Sequence, residues 1–308
     1  MERVAIVGAG LMGTTIALNF ALYGHRVLLL DVDQKAIERS RRLMDSSLLT
    51  LVEEGVIESG LEAEARQRVS FCLDVEEILQ STFVLEAVPE VPSIKESVFR
   101  QLDHKLPPTE VIFASNTSGL NVFELIPPRR RPFALITHFF APAHIIPLVE
   151  VVKDQLTSEG VLERSLRLLK AIGKVPVLLK GYKPGFLVNR IQRAIGETVL
   201  EMIEEGYATA EEIDKAVKFT LGIRLPVLGV VQTFDFQGLD MLLDAMKAYG
   251  RVFKFVEEKV KKGHLGVKTS RGIYDYHGRT EEELVRERDR RLIRTLRFLE
   301  GLKAFEPL

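Results

Sequence analysis

The stretch Val4–Asp31, VAIVGAGLMGTTIALNFALYGHRVLLLD, decides how the chain folds. It opens on four apolar residues, Val4-Ala5-Ile6-Val7, cut off at once by glycine, which is how a strand covered on both faces of a parallel sheet reads. Gly8-Ala9-Gly10-Leu11-Met12-Gly13 follows, a G-x-G-x-x-G. The apolar-periodic run from Leu11 to Leu22 closes near Gly24, as a helix C-terminus does. A second apolar run, Arg26–Leu30, ends on Asp31.

Each part of this strand, turn, helix and strand has a physical task. Gly8 lets the chain turn sharply out of the strand, Gly10 has no Cβ to keep a pyrophosphate off the backbone, and Gly13 lets the helix pack close to the sheet. The free N–H groups of the first helical turn, at Leu11 and Met12, and the positive end of the helix dipole then face the phosphates. Asp31 stands about 20 residues past the glycines, where a carboxylate accepts hydrogen bonds from both ribose hydroxyls of an adenosine. The same charge repels a 2′-phosphate, and no arginine follows it directly, so the pattern points to NAD rather than NADP.

The chain has 308 residues, 46% hydrophobic and 28% charged, with net charge −1, enough for two ordinary globular domains. The charge balance gives no reason to expect nucleic acid or an anionic membrane surface as a partner. A single cysteine, Cys72, excludes an intrachain disulfide and suits a reducing compartment, so a cytoplasmic protein is expected. The first strand begins at once, which leaves no room for a signal peptide. No apolar run approaches the roughly 18 residues of a membrane span.

Further along, apolar strands alternate with helical segments. Strands are expected at Val69–Leu73, Thr82–Val88, Val111–Ala114, Phe133–Thr137, Leu148–Val152 and Val175–Leu179. That alternation predicts an α/β fold with a Rossmann-type doubly wound sheet. After Gly181-Tyr182-Lys183-Pro184-Gly185 helical periodicity takes over, in Phe186–Glu205, Ala210–Thr220, a segment from about Gln237, and Glu281–Leu302. Thr209 with Glu212 and Thr280 with Glu283 read as capping boxes. The expected division is therefore residues 1–183 as a nucleotide-binding domain and 184–308 as an all-helical C-terminal domain.

The residues that could carry chemistry sit at strand ends, because ligands of open α/β sheets bind beyond the carboxyl ends of the strands. His138 ends one such strand. Glu150 lies within the apolar run Leu148-Val149-Glu150-Val151-Val152, where a charge needs a partner. If the intervening loop returns the chain alongside, Glu150 meets His138, orients the imidazole and steadies the imidazolium, a pair suited to taking a proton from an alcohol. The blander reading is a structural histidine and a glutamate paired elsewhere. Asn116, Thr117 and Ser118 close another apolar strand and either bind cofactor or substrate oxygens or cap the next element. Asn189 is a lone amide early in a mostly apolar helix. No histidine, cysteine or carboxylate spacing supports a metal site.

At these residues the chain resembles the 3-hydroxyacyl-CoA dehydrogenase family over nearly its whole length. The pieces are GAGLMG (8–13), EAVPE with Lys95, SNTSGL (115–120), THFFAP through PLVEVV (137–152), PGFLVNR (184–190), EEG through EEID (204–214), DFQGLD (235–240) and HLGVKTSRGIYDY (264–276). The resemblance implies NAD-dependent oxidation of an L-3-hydroxyacyl-CoA, with His138 as general acid/base and Glu150 as its partner. Ser118 and Asn189 become hydrogen-bonding residues around the reacting oxygen, and Asp31, Glu90, Lys95 and Asn116 join Gly8, Gly10, Leu11, Met12 and Gly13 as cofactor contacts. A homodimer through the C-terminal domain is also implied. The chain departs from the family pattern at Ala141, where H-F-x-N-P has Asn, and at Gly119 in place of a second Ser. Its PAHIIPLVE loop and Leu221-Gly222-Ile223-Arg224 look more like the lambda-crystallin and gulonate dehydrogenase branch, which acts on small free hydroxy acids; there Arg224 would pair with a free carboxylate, or else be a surface arginine in a loop. Two further alternatives are an NAD-binding protein without catalysis, supported by Ala141 alone, and the distant β-hydroxyacid dehydrogenase family, which shares the GxGxMG opening but uses a catalytic Lys and lacks the His138–Glu150 pair.

Overall fold

Parallel strands form wherever a short, wholly apolar run is followed by a helix long enough to carry the chain back over the sheet. In the computed structural model, which describes residues 2–107 and 111–306, this happens repeatedly. The order is β1 (Val4–Val7), α1 (Leu11–Leu22), β2 (Val27–Leu30), α2 (Gln34–Glu53), α3 (Leu61–Gln67), β3 (Val69–Cys72), β4 (Phe83–Glu86), α4 (Pro92–Lys105) and β5 (Ile112–Ser115). Then come β6 (Ala134–Phe139), β7 (Leu148–Lys153), α5 (Glu159–Ala171) and β8 (Val175–Leu179). All of β1, β4 and β5 is buried, and the apolar side chains under α1 and α2 are nearly all excluded from water. Each such side chain contributes about 1.5–3 kcal/mol of burial.

The eight strands make one sheet in the order β3-β2-β1-β4-β5-β6-β7-β8. The chain moves outward from β1 to β3, then returns to place β4 on the other side of β1, which opens a crevice between the ends of β1 and β4. The β6–β7 pairing is antiparallel, because the loop between them is too short to hold a crossover. It is in register at His138↔Glu150. β6 runs to Phe139, two residues past the expected Thr137, with His138 its last but one residue. Cys72 ends β3 buried, and burial together with Glu77 and Asp74 pushes its thiol up to about 11, leaving it protonated.

The described chain divides into two compact units, 1–195 and 196–308, the division falling inside α6 (Val188–Glu204). The second unit holds α7 (Ala210–Phe219), α8 (Leu221–Gln237), α9 (Leu239–Ala248), α10 (Lys254–Lys261) and α11 (Glu281–Gly301). Both capping boxes are formed, at Thr209 with Glu212 and at Thr280 with Glu283. Two helices were not expected from the sequence, α8 and α10. Pro226 and Gly229 interrupt the periodicity of α8, and its backbone breaks at Gly229. Arg224 therefore lies in the first turn of a helix and not in a loop, and its Nε is buried without a partner among the described residues.

The second unit is tied together by Asp235, fully buried near the end of α8. Its carboxylate accepts from the N–H groups of Ile273 and Tyr274 at 2.8 and 2.9 Å and from the Tyr276 hydroxyl at 3.0 Å. This closes the segment 264–276 over the helix and explains why Gly266 is glycine. A Cβ there would stand 2.1 Å from the Asp235 carbonyl oxygen, on a backbone with φ +102°. Gly266→Ala should therefore cost about 3 kcal/mol in denaturant unfolding. Gly263→Ala, at φ +72° but with nothing within 4 Å, should cost only about 1 kcal/mol. Equal costs for the two would show that the close approach to Asp235 is not what fixes the segment.

Candidate active site

The crevice begins at the first turn of α1. Gly8 has φ +108°, and a Cβ on it would come within 2.6 Å of the Ala87 carbonyl oxygen. A Cβ on Gly13 would stand 1.8 Å from the Gly8 carbonyl oxygen. Both glycines are therefore demanded by close packing. At Gly10 nothing lies within 4 Å of a built Cβ, so this position is open on the side from which a ligand would approach. α1 starts at Gly10 with no side-chain cap and no acidic residue in its first turn, and Leu11 stands half exposed. An uncapped positive helix end beside an open glycine fits a dinucleotide pyrophosphate. The Asp31 carboxylate, at the tip of β2, accepts from the N–H groups of Ala9 (2.7 Å) and Asp33 (3.0 Å), which fixes its orientation at the edge of this turn.

Next to it, a polar cluster occupies the ends of β4 and β5. Glu86 and Ser115 are adjacent in register, and the Ser115 hydroxyl donates to Glu86 at 2.5 Å. Lys95, from α4, is fully buried and bridges Glu86 (2.6 Å) and Glu90 (3.1 Å). Burial pushes the Glu86 carboxyl up, against the opposing pull of Lys95 and the hydrogen bonds from Ser115 and Val88. Burial also acts upward on Glu90, but there the Thr117 hydroxyl, Lys95 and the Ser118 N–H outweigh it and hold the carboxyl below its ordinary value. One oxygen of Glu90 gathers the Thr117 hydroxyl (2.5 Å) and the N–H groups of Ser118 (2.9 Å) and Gly119 (3.1 Å). The turn after β5 is thus held by Glu90. Asn116 uses its side-chain oxygen on the Phe139 N–H, 2.8 Å, linking this turn to β6.

At the end of β6, His138 Nδ1 lies 2.8 Å from Glu150 Oε2, both side chains buried. The antiparallel return of β7 is what brings them opposite one another. The second oxygen, Oε1, accepts from the N–H groups of Leu187 (2.9 Å) and Val188 (2.8 Å) at the start of α6. Phe140 and Phe186 flank the imidazole, with ring centroids 4.5 and 5.5 Å away. Asn189 donates to the Ser118 carbonyl at 3.2 Å. A cavity of about 360 Å³ is lined by Met12, Glu90, Lys95, Asn116, Ser118, His138, Ala141 and Asn189 among others.

The structure therefore brings together at one cavity Met12, Glu90, Lys95, Asn116, Ser118, His138 and Asn189, with Glu150 behind His138. Asp31 and the glycines lie instead at the tip of β2 and in the turn after β1. Sequence reasoning gave no role to Glu86, Phe140, Phe186 or the N–H pair on Glu150. Glu86 carried the same signal as Glu150, a lone charge in an apolar strand. The backbone N–H pair left no signal, since every residue has one.

The chain belongs to the 3-hydroxyacyl-CoA dehydrogenase family. Residues 3–182 match the family's NAD binding domain and residues 185–276 its C-terminal domain. It is accordingly an NAD-dependent oxidoreductase. It is 35% identical to 3-hydroxybutyryl-CoA dehydrogenase of Clostridioides difficile, over 89% of this chain and 99% of that one. It is 31% identical to 5-formyl-3-hydroxy-2-methylpyridine 4-carboxylate 5-dehydrogenase of Mesorhizobium japonicum, over 98% of this chain and 99% of that one. Among solved structures it is similar to a 3-hydroxyacyl-CoA dehydrogenase from Archaeoglobus fulgidus, with TM-score 0.82 and 31% identity over 97% of this chain and 99% of that one.

The loop from Ala141 to Pro147 is held from below by Lys174, whose buried ammonium donates to the carbonyls of Ala143 and Ile146. Burial pulls this lysine down to about 8 from 10.5. His144, in the same loop, is lowered by burial and by Lys174. Between about pH 8 and 10.5 the unfolded chain holds a proton on residue 174 that the folded chain has lost, so the contribution of Lys174 to stability rises with pH across that window. The melting temperature of the wild type relative to that of Lys174→Met should therefore rise from about pH 8 to 10.5. Parallel pH profiles for the two proteins would contradict it.

Proposed function

We propose that the enzyme catalyses the reversible oxidation of an L-3-hydroxyacyl-CoA to the 3-ketoacyl-CoA. The observation that carries this reading is the His138–Glu150 pair at the cavity shared by Ser118, Asn116 and Asn189. His138 Nε2 takes the hydroxyl proton as the carbon–oxygen double bond forms, and Glu150 on Nδ1 keeps the ring in the tautomer that leaves Nε2 free and balances the charge that appears. Ser118 and Asn189 donate hydrogen bonds to the oxygen as it becomes a carbonyl. When bound, NAD⁺ supplies the acceptor for the hydride leaving C3. Gly8, Gly10, Leu11, Met12 and Gly13 seat its pyrophosphate, Asp31 its adenosine ribose, and Glu90, Lys95 and Asn116 the far end. A CoA thioester substrate sets the enzyme in fatty acid metabolism, and a lone buried thiol suits the cytoplasm. Large apolar side chains of the second unit stand in solvent, Leu200, Met241 and Phe298 among them, which supports a homodimer built through that unit.

A second reading, oxidation of a small free hydroxy acid, is favoured by Arg224, whose Nε is buried without a partner among the described residues. The relative from Mesorhizobium japonicum, whose name gives a pyridine carboxylate and no CoA, adds support. NADH oxidation with acetoacetyl-CoA beside free acetoacetate separates the two readings. Turnover of the thioester, unaffected by Arg224→Ala, is the expected result, whereas turnover of the free acid alone, lost in Arg224→Ala, would replace it with the second.

In the same assay His138→Ala should lower kcat by about 10³-fold or more. Near-normal turnover would refute the assignment of the base. Gly10→Ala should weaken NADH binding by at least about tenfold, since one methyl group would occupy the approach to the backbone. It should leave the melting temperature nearly unchanged, because that methyl group meets no protein atom within 4 Å.

A further inference from the structure

Phe186 holds a backbone conformation that aromatic residues rarely adopt. Its φ is +47° and follows Gly185 at +74°, so the turn into α6 passes through two consecutive left-handed residues. The Phe186 N–H closes the turn on the Lys183 carbonyl at 2.9 Å. The next two N–H groups, of Leu187 and Val188, are the pair that reaches Glu150 Oε1. The Phe186 side chain is only 3% exposed, and its ring stands edge-on to the His138 imidazole. Glycine would suit this backbone with no strain, so the ring is retained at a conformational cost.

We propose that Phe186 is the positioning residue of the His138–Glu150 pair. Its left-handed backbone aims two N–H groups at Oε1, which stops the carboxylate from rotating and leaves Oε2 to His138 Nδ1. Its ring pins the imidazole against Phe140, so the second ring nitrogen keeps one direction toward the cavity. The backbone half of the device acts on the carboxylate and the aromatic half on the imidazole. Phe186 is not among the residues that line the cavity. The role in turnover rests on His138 being the proton acceptor, as proposed above. The role in geometry does not.

The test compares Phe186→Leu with Phe186→Tyr. In protein labelled with ¹⁵N-histidine, the low-field Nδ1–H proton of His138 is assigned by its loss in His138→Gln. Phe186→Leu should broaden or lose this resonance through exchange with water. It should also lower kcat with acetoacetyl-CoA and NADH by about a hundredfold while the KM for NADH hardly moves. Phe186→Tyr, which keeps the ring, should restore both. Phe186→Gly, relaxed in the same conformation, keeps the N–H pair on Glu150 but has no ring, and should broaden the resonance at least as much as Phe186→Leu does. A sharp resonance and full kcat in Phe186→Leu, with only a lower melting temperature, would reduce Phe186 to a packing residue and overturn the proposal. If the wild type shows the resonance but no turnover of acetoacetyl-CoA, the proposed reaction fails, and the resonance in the variants still decides the positioning role.

Discussion

The site depends on a single carboxylate kept out of water. Glu150 is fully buried in a strand whose other residues are almost all apolar, and an isolated charge there would cost several kcal/mol. Three donors offset that cost, the His138 ring and the N–H groups of Leu187 and Val188. They come from two distant parts of the chain, β6 and the start of α6. Satisfying one side chain therefore fixes the register of β6 against β7 and the starting point of α6. A slip of one residue between the strands would turn Glu150 to the opposite face of the sheet and leave every one of these groups unpaired.

The same logic is repeated on the other side of the cavity. Glu86 ends β4 as a buried carboxylate, and Lys95 reaches it from α4 while also holding Glu90. Glu90 in turn gathers the turn of Thr117, Ser118 and Gly119. Asn116 joins that turn to β6 through the Phe139 N–H, next to His138. The polar residues around the cavity thus form two connected sets, each anchored on a buried glutamate, so that side chains facing the cavity are held by partners behind them. Polar networks of this kind are costly when incomplete and rigid when complete.

Much of the fold was legible along the chain. The buried parallel strands are short apolar runs, the glycine-rich turn is a local pattern, and Thr209 with Glu212 and Thr280 with Glu283 announce helix starts within four residues. α8 was not legible, because Pro226 and Gly229 break the helical period while packing against α7, α9 and α11 keeps the segment helical. The PGFLVNR and KTSRGIYDY segments could be quoted as patterns, but their purposes appear only in three dimensions. The first delivers N–H groups to Glu150, and the second wraps Asp235.

The sequence by itself determined the nucleotide-binding half, because strand, turn and helix there are set by residue size, glycine freedom and hydrophobic period, all of which act over a few neighbours. It also marked Glu150 as a charge in need of a partner, and Glu86 carried the same signal. Only the tertiary structure decided who those partners are. His138 meets Glu150 because β7 runs antiparallel, Lys95 meets Glu86 because α4 folds back over β4, and the N–H pair of α6 arrives from some 40 residues along the chain. A backbone N–H carries no mark in the sequence, and its direction is fixed only when the chain around it has folded.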